Sequence, residues 1–317
     1  MPDQLDEHYE FVIKAMIESR VVPFFGAGAN RCGRPEGIDW QPGKKLPDGK
    51  ELSKYLADEF KYPDKDNEED LVRVAQYIST MAGSGPLYDK LHKLLDADYS
   101  FTSIARFFAS FQSVLRKKEY PPSYQLIVTT NYDDLLERAF QKVKEPFDLV
   151  TYIAEGEHRG KFLHSPPNSN GHIIDKPNEY RGLPLNERTV ILKIHGTIDR
   201  ANDEGDSFVI TEDHYIDYLT RMDISSLLPV TLAVKMKKSS FLFLGYSLRD
   251  WNLRVILNRI WGEQKLTYQS WAIQLNPHPM DQKFWSKRNV DILDVCLESY
   301  IAKLSERLLE LKEAGGK

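Results

Sequence analysis

A doubly wound α/β fold, built on a parallel sheet with helices on both faces and an inserted helical module, is predicted by three features of the chain. Short apolar runs recur: VVPFF (21–25), LIVT (126–129), VILKI (190–194), FLFLG (241–245), WAIQL (271–275) and VDIL (290–293). Runs that stay apolar without alternating suit strands buried on both faces. Helix-period segments lie between several of them, as the crossovers of a parallel sheet require. Each run is followed by small or polar residues, at the position where such a sheet holds its ligand.

The N-terminal stretch MPDQLDEHYEFVIKAM is acidic and amphipathic. It lacks the basic start and apolar core of a signal peptide, and no run approaches the length of a membrane span, so a soluble, cytoplasmic protein without membrane contact is expected. Between the first two strands come ELSKYLADEF (51–60), DLVRVAQYIST (70–80), PLYDKLHKLL (86–95) and FTSIARFFASF (101–111). That is too much for one crossover helix, and a helical insertion over about 46–120 is expected. Residues 155–188 carry several Pro, Gly and Asn and read as a loop-rich insertion, and RANDEGD (200–206) as a turn. In LESYIAKLSERLLELKE (297–313), Leu297, Tyr300, Ile301, Leu304 and Leu308 recur at helical spacing, which predicts a final helix packed on the sheet. Residues 1–317 are expected to form a single domain.

Composition narrows the function classes. A chain of 317 residues can bury a substantial core. Its 42 Lys and Arg against 47 Asp and Glu leave a formal charge of −5, so no basic field is available and no direct nucleic-acid binding is expected. Cys32 and Cys296 are far apart in sequence and neither belongs to a C-x-x-C pair, which argues against a zinc ribbon or a disulfide framework and for a reducing compartment. His158, His164 and His172 follow no ligand spacing and read as surface or core-edge residues. No metal is expected.

The polar residues collect at the ends of the runs. The first ends in Gly26-Ala27-Gly28-Ala29-Asn30, whose glycines would let backbone N–H groups approach a phosphate. Arg31 stands where G-x-G-x-x-G needs its third glycine, and no P-loop motif occurs, so neither standard nucleotide fingerprint is present. The second run delivers Thr129, Thr130, Asn131, Tyr132 and Asp133; the third His195-Gly196; the fourth Gly245-Tyr246-Ser247-Leu248, followed by Asp250 and Asn252; the fifth Asn276-Pro277. Singly, each reads as a turn or a cap, Asp133 or Asp134 as the N-cap of DLLERAF for example. Their joint placement points to a ligand site.

In this order, GAGAN, TTNYD, a strand ending in HG, GYSL and a strand ending in asparagine resemble the sirtuin superfamily, and within it the bacterial sirtuin-like branch rather than the protein deacylases. The resemblance covers most of residues 18–305. It departs in Thr130, where the family has glutamine, in Asn30, where it has serine, and in the loosely kept Gly37-Ile38-Asp39-Trp40; four zinc-binding cysteines cannot be supplied. These departures argue against protein deacylation.

The resemblance implies a Rossmann-like sheet of the sirtuin type without a zinc ribbon, and NAD as a substrate used without metal. The implied activity is that of an NAD glycohydrolase yielding nicotinamide and ADP-ribose or its cyclic form, serving bacterial anti-phage defence by NAD depletion and abortive infection. Asn131 would hold the attacking water or the ribose hydroxyls. His195 would polarise one of these near the ordinary imidazole pKa of about 6.5, and Asp133 would hold the carboxamide or favour developing positive charge, while Asp134 only caps its helix. Gly26, Ala27, Gly28 and Asn30 would contact the pyrophosphate and adjoining ribose, Ser247 and Asn276 would serve the adenosine half, and Thr130 and Gly245 are further cofactor-binding candidates. Asp39 and Trp40 are further candidates beside the nicotinamide, Trp40 reading first as a packing residue. A homo-oligomer is expected, with a partner chain or fused module of the HerA-type or STAND-type NTPase or Argonaute-like kind. Activity would be held low by the 155–188 loop, by assembly or by that partner. Two other readings are an NAD-dependent deacylase or ADP-ribosyltransferase, which needs an acceptor, and a non-catalytic NAD or ADP-ribose sensor, which would not need Asn131 and His195 together.

Overall fold

The computed structural model describes residues 2–35, 37–220, 228–248, 254, 257 and 266–314. Helix α1 (Pro2–Ile17) leads into strand β1 (Val21–Phe25), followed by helices α2 (Gly49–Glu59), α3 (Leu71–Ala82), α4 (Ser84–Leu95) and α5 (Ser103–Lys117) and strand β2 (Leu126–Thr129). Next come α6 (Leu135–Lys142), β3 (Phe147–Tyr152), β4 (Phe162–Ser165), β5 (His172–Ile174), β6 (Thr189–Lys193) and the two-residue strands β7 (Gly196–Thr197) and β8 (Ser207–Phe208). The remainder is α7 (Glu212–Thr220), α8 (Val230–Lys237), β9 (Ser240–Leu244), β10 (Ser270–Gln274), α9 (Pro279–Ser286), β11 (Val290–Asp294) and α10 (Leu297–Glu310).

Nine strands form one sheet in the order β11-β10-β9-β1-β2-β6-β3-β4-β5. The seven from β11 to β3 are parallel. The chain starts at the centre, builds outward through β2, then returns to lay β9, β10 and β11 on the other side of β1. The switch point therefore lies between β1 and β9, and a sheet of this kind holds its ligand at the carboxyl ends of the strands there. All six apolar runs are strands of this sheet, and their residues alternate between two cores. Val22, Phe24, Val128, Leu192 and Phe243 face one core, which Leu232 and Met236 of α8 and Trp285 of α9 cover. Phe25, Ile127, Ile191 and Leu244 face the other, under α1, α5, α6 and α10.

Helices α2, α3 and α4 close on a third core, which also takes in Leu135, Ile198, Phe208 and Ile210 at the strand-end side of the sheet. Their starts are locally encoded. Asp48 accepts from Glu51 N–H while the Glu51 side chain accepts from Asp48 N–H, a reciprocal cap, and Asp70 and Thr102 cap α3 and α5. Helix α5 differs from these three in lying on the sheet, with Phe108, Phe111 and Leu115 in the second core.

Residues 155–188 are not a surface loop throughout. They contain β4 and β5, which extend the sheet antiparallel beyond β3. The polar residues that suggested a loop satisfy one another across the strands. His164 and His172 are register partners, Tyr180 Oη lies 2.6 Å from His164 Nδ1 and from His172 Nε2, and His164 Nε2 is 2.7 Å from the buried carboxylate of Asp148, which also accepts from Arg188. Of the three histidines of this stretch, His164 is buried while His158 and His172 are exposed.

Candidate functional site

The GAGAN segment leaves β1 as a short 3-10 helix, Ala27–Arg31. It is held against the end of β9 by hydrogen bonds from Gly26 N–H to Leu244 O (3.1 Å) and from Gly28 N–H to Gly245 O (2.9 Å). A Cβ on Gly26 would meet the Tyr246 ring at 2.4 Å, and one on Gly28 would meet Gly245 O at 2.6 Å. These two glycines thus serve first to let two strand-end loops touch, and their N–H groups already have acceptors. Ala27 and Gly28 are half-buried. The chain beyond folds back over the strand tip: Asn30 Nδ2 donates to Pro47 O, Arg34 Nη2 to Leu46 O and Trp40 Nε1 to Lys45 O. Trp40 packs edge-on against Tyr55 and belongs with the helical core, while Asp39 is exposed. Burial first, and Glu298 next, push the Cys32 thiol up to about 12, which leaves it inert as a nucleophile.

At the end of β2, Thr129 Oγ1 accepts from Asn131 N–H (3.0 Å), and Thr130 N–H donates to Phe25 O (3.2 Å), tying this tip to β1. The cap expected of Asp134 is made by Asp133 instead. Asp133 Oδ1 accepts from Leu135 N–H at 3.1 Å and so caps the start of α6, while its Oδ2 accepts from Asn30 Nδ2 at 3.2 Å. Asp134 makes no cap hydrogen bond and is held by Arg200 Nε at 2.6 Å and by Arg138.

Asn30, Asn131 and Asp133 line one cavity of about 30 Å³, together with Thr129, Ala29 and Glu137. That is room for about one water molecule. The Oδ1 of Asn131 is buried and has no hydrogen-bond partner. His195 stands at the neighbouring tip: Thr129 pairs with Lys193 in register, so Asn131 and His195 each lie two residues beyond that pair. His195 is 2 % exposed, and its Nδ1 is 3.4 Å from the Oη of Tyr215 on α7. Burial pushes its pKa down to about 3. The expectation of an imidazole titrating near neutrality is therefore corrected: His195 is neutral at physiological pH, because a charged ring at this depth would lose its hydration.

Across β1 from this cavity, Gly245 at the end of β9 adopts φ +67 against the GAG segment. Ser247 and Asn276 are exposed, the latter donating its N–H to Asp294 Oδ1 at 2.8 Å. The structure thus brings Asn30, Asn131 and Asp133 together and packs Gly26 and Gly28 on Gly245, while Ser247 and Asn276, which follow β9 and β10, are exposed. Asp250 and Asn252 lie outside the described residues. A larger open cleft of about 430 Å³, lined by Ser79, Ser84, Glu155, Arg159 and His214, contains none of the residues expected at the site.

Sequence reasoning missed two groups at this tip, Lys193 and Glu137. Lys193 is fully buried, and its Nζ lies 2.8 Å from Glu137 Oε1 and also donates to Asp133 O. The signal was a lysine inside the otherwise apolar VILKI. Among the described residues no three or more His, Cys, Asp or Glu are grouped to hold a metal, and no helix is long and apolar enough to cross a membrane.

The profile of a family described as SIR2-like domain matches residues 125–293. Among curated proteins, NAD(+) hydrolase ThsA of Acinetobacter baumannii is 27% identical over 78% of this chain and 41% of its own length. The protein of the same name from Enterococcus faecium is 27% identical over 79% of this chain and 43% of its own length. Defense-associated sirtuin 2 of Bacillus subtilis is 24% identical over 53% of this chain and 14% of its own length. The chain thus spans less than half the length of each of these relatives.

Proposed function

The chain belongs to the SIR2-like domain family, and on that premise we propose that it hydrolyses NAD at the nicotinamide–ribose bond, releasing nicotinamide and ADP-ribose. The observation that carries this reading is the amide of Asn131, whose buried Oδ1 lacks a partner and whose side chain lines a cavity with Asn30 and Asp133. Leaving a buried acceptor unsatisfied costs about 1–3 kcal/mol, and a substrate hydroxyl or water at the strand tip would satisfy it. The names of the ThsA relatives, NAD(+) hydrolases, support the same substrate.

The chemistry asks little of a small site. Water adds to C1′ of the ribose, the electron pair of the C1′–N bond returns to the pyridinium nitrogen, and one proton is released. The protein must orient the ribose, exclude competing poses and favour the oxocarbenium-like charge. Asn131 accepts from the water or a ribose hydroxyl without titrating. The Asp133 carboxylate, fixed by Asn30 and Leu135 N–H, favours positive charge developing at the sugar. Neutral His195 acts as a hydrogen-bonding group at the ribose, and the proton passes to solvent.

In the cell this reading makes the chain an effector of anti-phage defence that depletes NAD, working as a homo-oligomer and held in check by a partner chain or fused module. The name of the Bacillus subtilis relative, a defense-associated sirtuin, supports that setting. The test is nicotinamide and ADP-ribose release from NAD by purified wild-type and Asn131→Ala protein. The expected result is release by the wild type and a loss of about 100-fold or more in kcat for the variant. Turnover that requires an acylated peptide or other acceptor would assign a transferase instead, and NAD binding without consumption a sensor.

A further inference from the structure

We infer that the buried Lys193–Glu137 pair is a positioning device for the reaction, holding the Thr130–Asp133 tip in the geometry that NAD cleavage uses. This rests on the reading of the site as an NAD hydrolase. Lys193 is the last residue of β6 and is paired in register with Thr129, the last residue of β2. Its ammonium donates to the main-chain carbonyl of Asp133 and to Glu137 Oε1 at 2.8 Å. The lysine thus spans the tip, with its backbone level with the start of the segment and its charge on the end.

Glu137 lies in the first turn of α6 and is buried among the residues that line the cavity of Asn30, Asn131 and Asp133. The same clamp is reinforced from two other directions. Asp133 Oδ1 is tied to Leu135 N–H and its Oδ2 to the Asn30 amide, while Asn131 N–H is tied to Thr129 Oγ1. Ile198 N–H and Thr197 Oγ1 hold Tyr132 O, and Thr130 N–H holds Phe25 O, while Lys193 supplies the contact to the carbonyl of Asp133 itself.

Stability alone does not account for such a pair. Two apolar side chains of similar volume usually serve a core as well as a buried ion pair or better, because both charges have been taken out of water. What an apolar pair cannot do is direct a donor at a carbonyl. A carbonyl left to rotate would change where the Asn131 amide and the Asp133 carboxylate sit, and misplacement of about 1 Å at a reacting centre lowers turnover by roughly 100-fold.

The experiment compares wild type, Glu137→Gln and the double variant Lys193→Met with Glu137→Met, in NAD turnover, NAD affinity and thermal melting. Methionine keeps the unbranched shape while removing both charges. For the double variant the expected result is a cooperative melt, a KM for NAD within about threefold of wild type, and a kcat lowered by at least about tenfold. Glu137→Gln keeps an oxygen acceptor for Lys193 but leaves its charge without a counter-charge, and is expected to lower the melting temperature below that of the double variant. Wild-type kcat in a folded double variant would overturn the positioning role, and so would loss of the folded state, which would assign the pair to stability. A wild-type protein that releases no nicotinamide sinks the functional reading and this inference with it; unchanged turnover in the double variant sinks this inference alone.

Discussion

Gly245→Ala is expected to lower the unfolding free energy by roughly 3 kcal/mol or more, combining the cost of a left-handed backbone at a residue with a Cβ and that of overpacking, and to abolish NAD binding. Gly245 sits at φ +67, and a Cβ there would lie 2.0 Å from Ala29 N and 2.5 Å from Gly28 C. Both are backbone atoms with no rotamer to escape into, so the β9 loop or the GAG segment must move. Movement breaks the bond from Gly28 N–H to Gly245 O and separates the two strand-end loops. Denaturant unfolding checks the first effect and calorimetric titration of NAD the second. Ser247→Ala, two residues on and exposed, is the control and is expected to stay within about 0.5 kcal/mol. A Gly245→Ala protein as stable as that control would refute the close packing of the two loops.

Acidification from pH 6.5 to pH 4.5 is expected to destabilise the fold through two histidines that burial keeps neutral, His195 fully buried and His8 half-buried. Burial pushes His195 down to about 3 and His8 down to about 4. Below pH 6.5 the unfolded chain takes up protons at both rings while the folded chain does not, so stability falls as pH falls. Each histidine contributes up to about 1.4 kcal/mol per pH unit in that window. The loss continues until each folded-state value is reached, near pH 4 for His8 and pH 3 for His195. Glu137 works in the opposite sense, since burial raises its carboxyl despite Lys193, so a histidine variant is needed to isolate the effect. Melting temperatures of wild type and His195→Gln between pH 7.5 and pH 4.5 provide it. The variant is expected to show a shallower slope, and equal slopes would contradict a buried neutral ring. For the same reason, no acid limb of the kcat profile near pH 6.5 is expected from His195.

The strands that were legible are those whose environment repeats along the chain. VVPFF, LIVT and FLFLG face apolar cores on both sides, and an unbroken apolar run is the direct imprint of that. Strand β3 hid because FDLVTY carries Asp148, and β4 and β5 hid behind histidines and glycines. The partners that make those polar residues tolerable, His164 with Asp148 and Tyr180 with both His164 and His172, come from separate segments. The strand tips were legible as a set because a parallel sheet gathers its carboxyl ends on one side. What each residue does there depended on contacts across the fold. Asp133 rather than Asp134 caps α6, Lys193 reads as part of an apolar run until Glu137 is placed beside it, and His195 meets Tyr215 on a helix downstream.

The third core has a consequence for how the chain is made. Helices α2 to α4 are synthesised as a continuous block, yet Ile198, Phe208 and Ile210, which complete their core, come much later. At about 5–20 residues per second, roughly ten seconds of translation separate Leu95 from Phe208. During that time the apolar flank of the block, including Leu56, Ile78 and Leu91, lacks its final cover. Strand β1 waits longer still, because its neighbour β9 begins only at Ser240. The contact between the loops that end those two strands is thus among the last features of the molecule to form, and a nascent chain lacks it until its far half has left the ribosome.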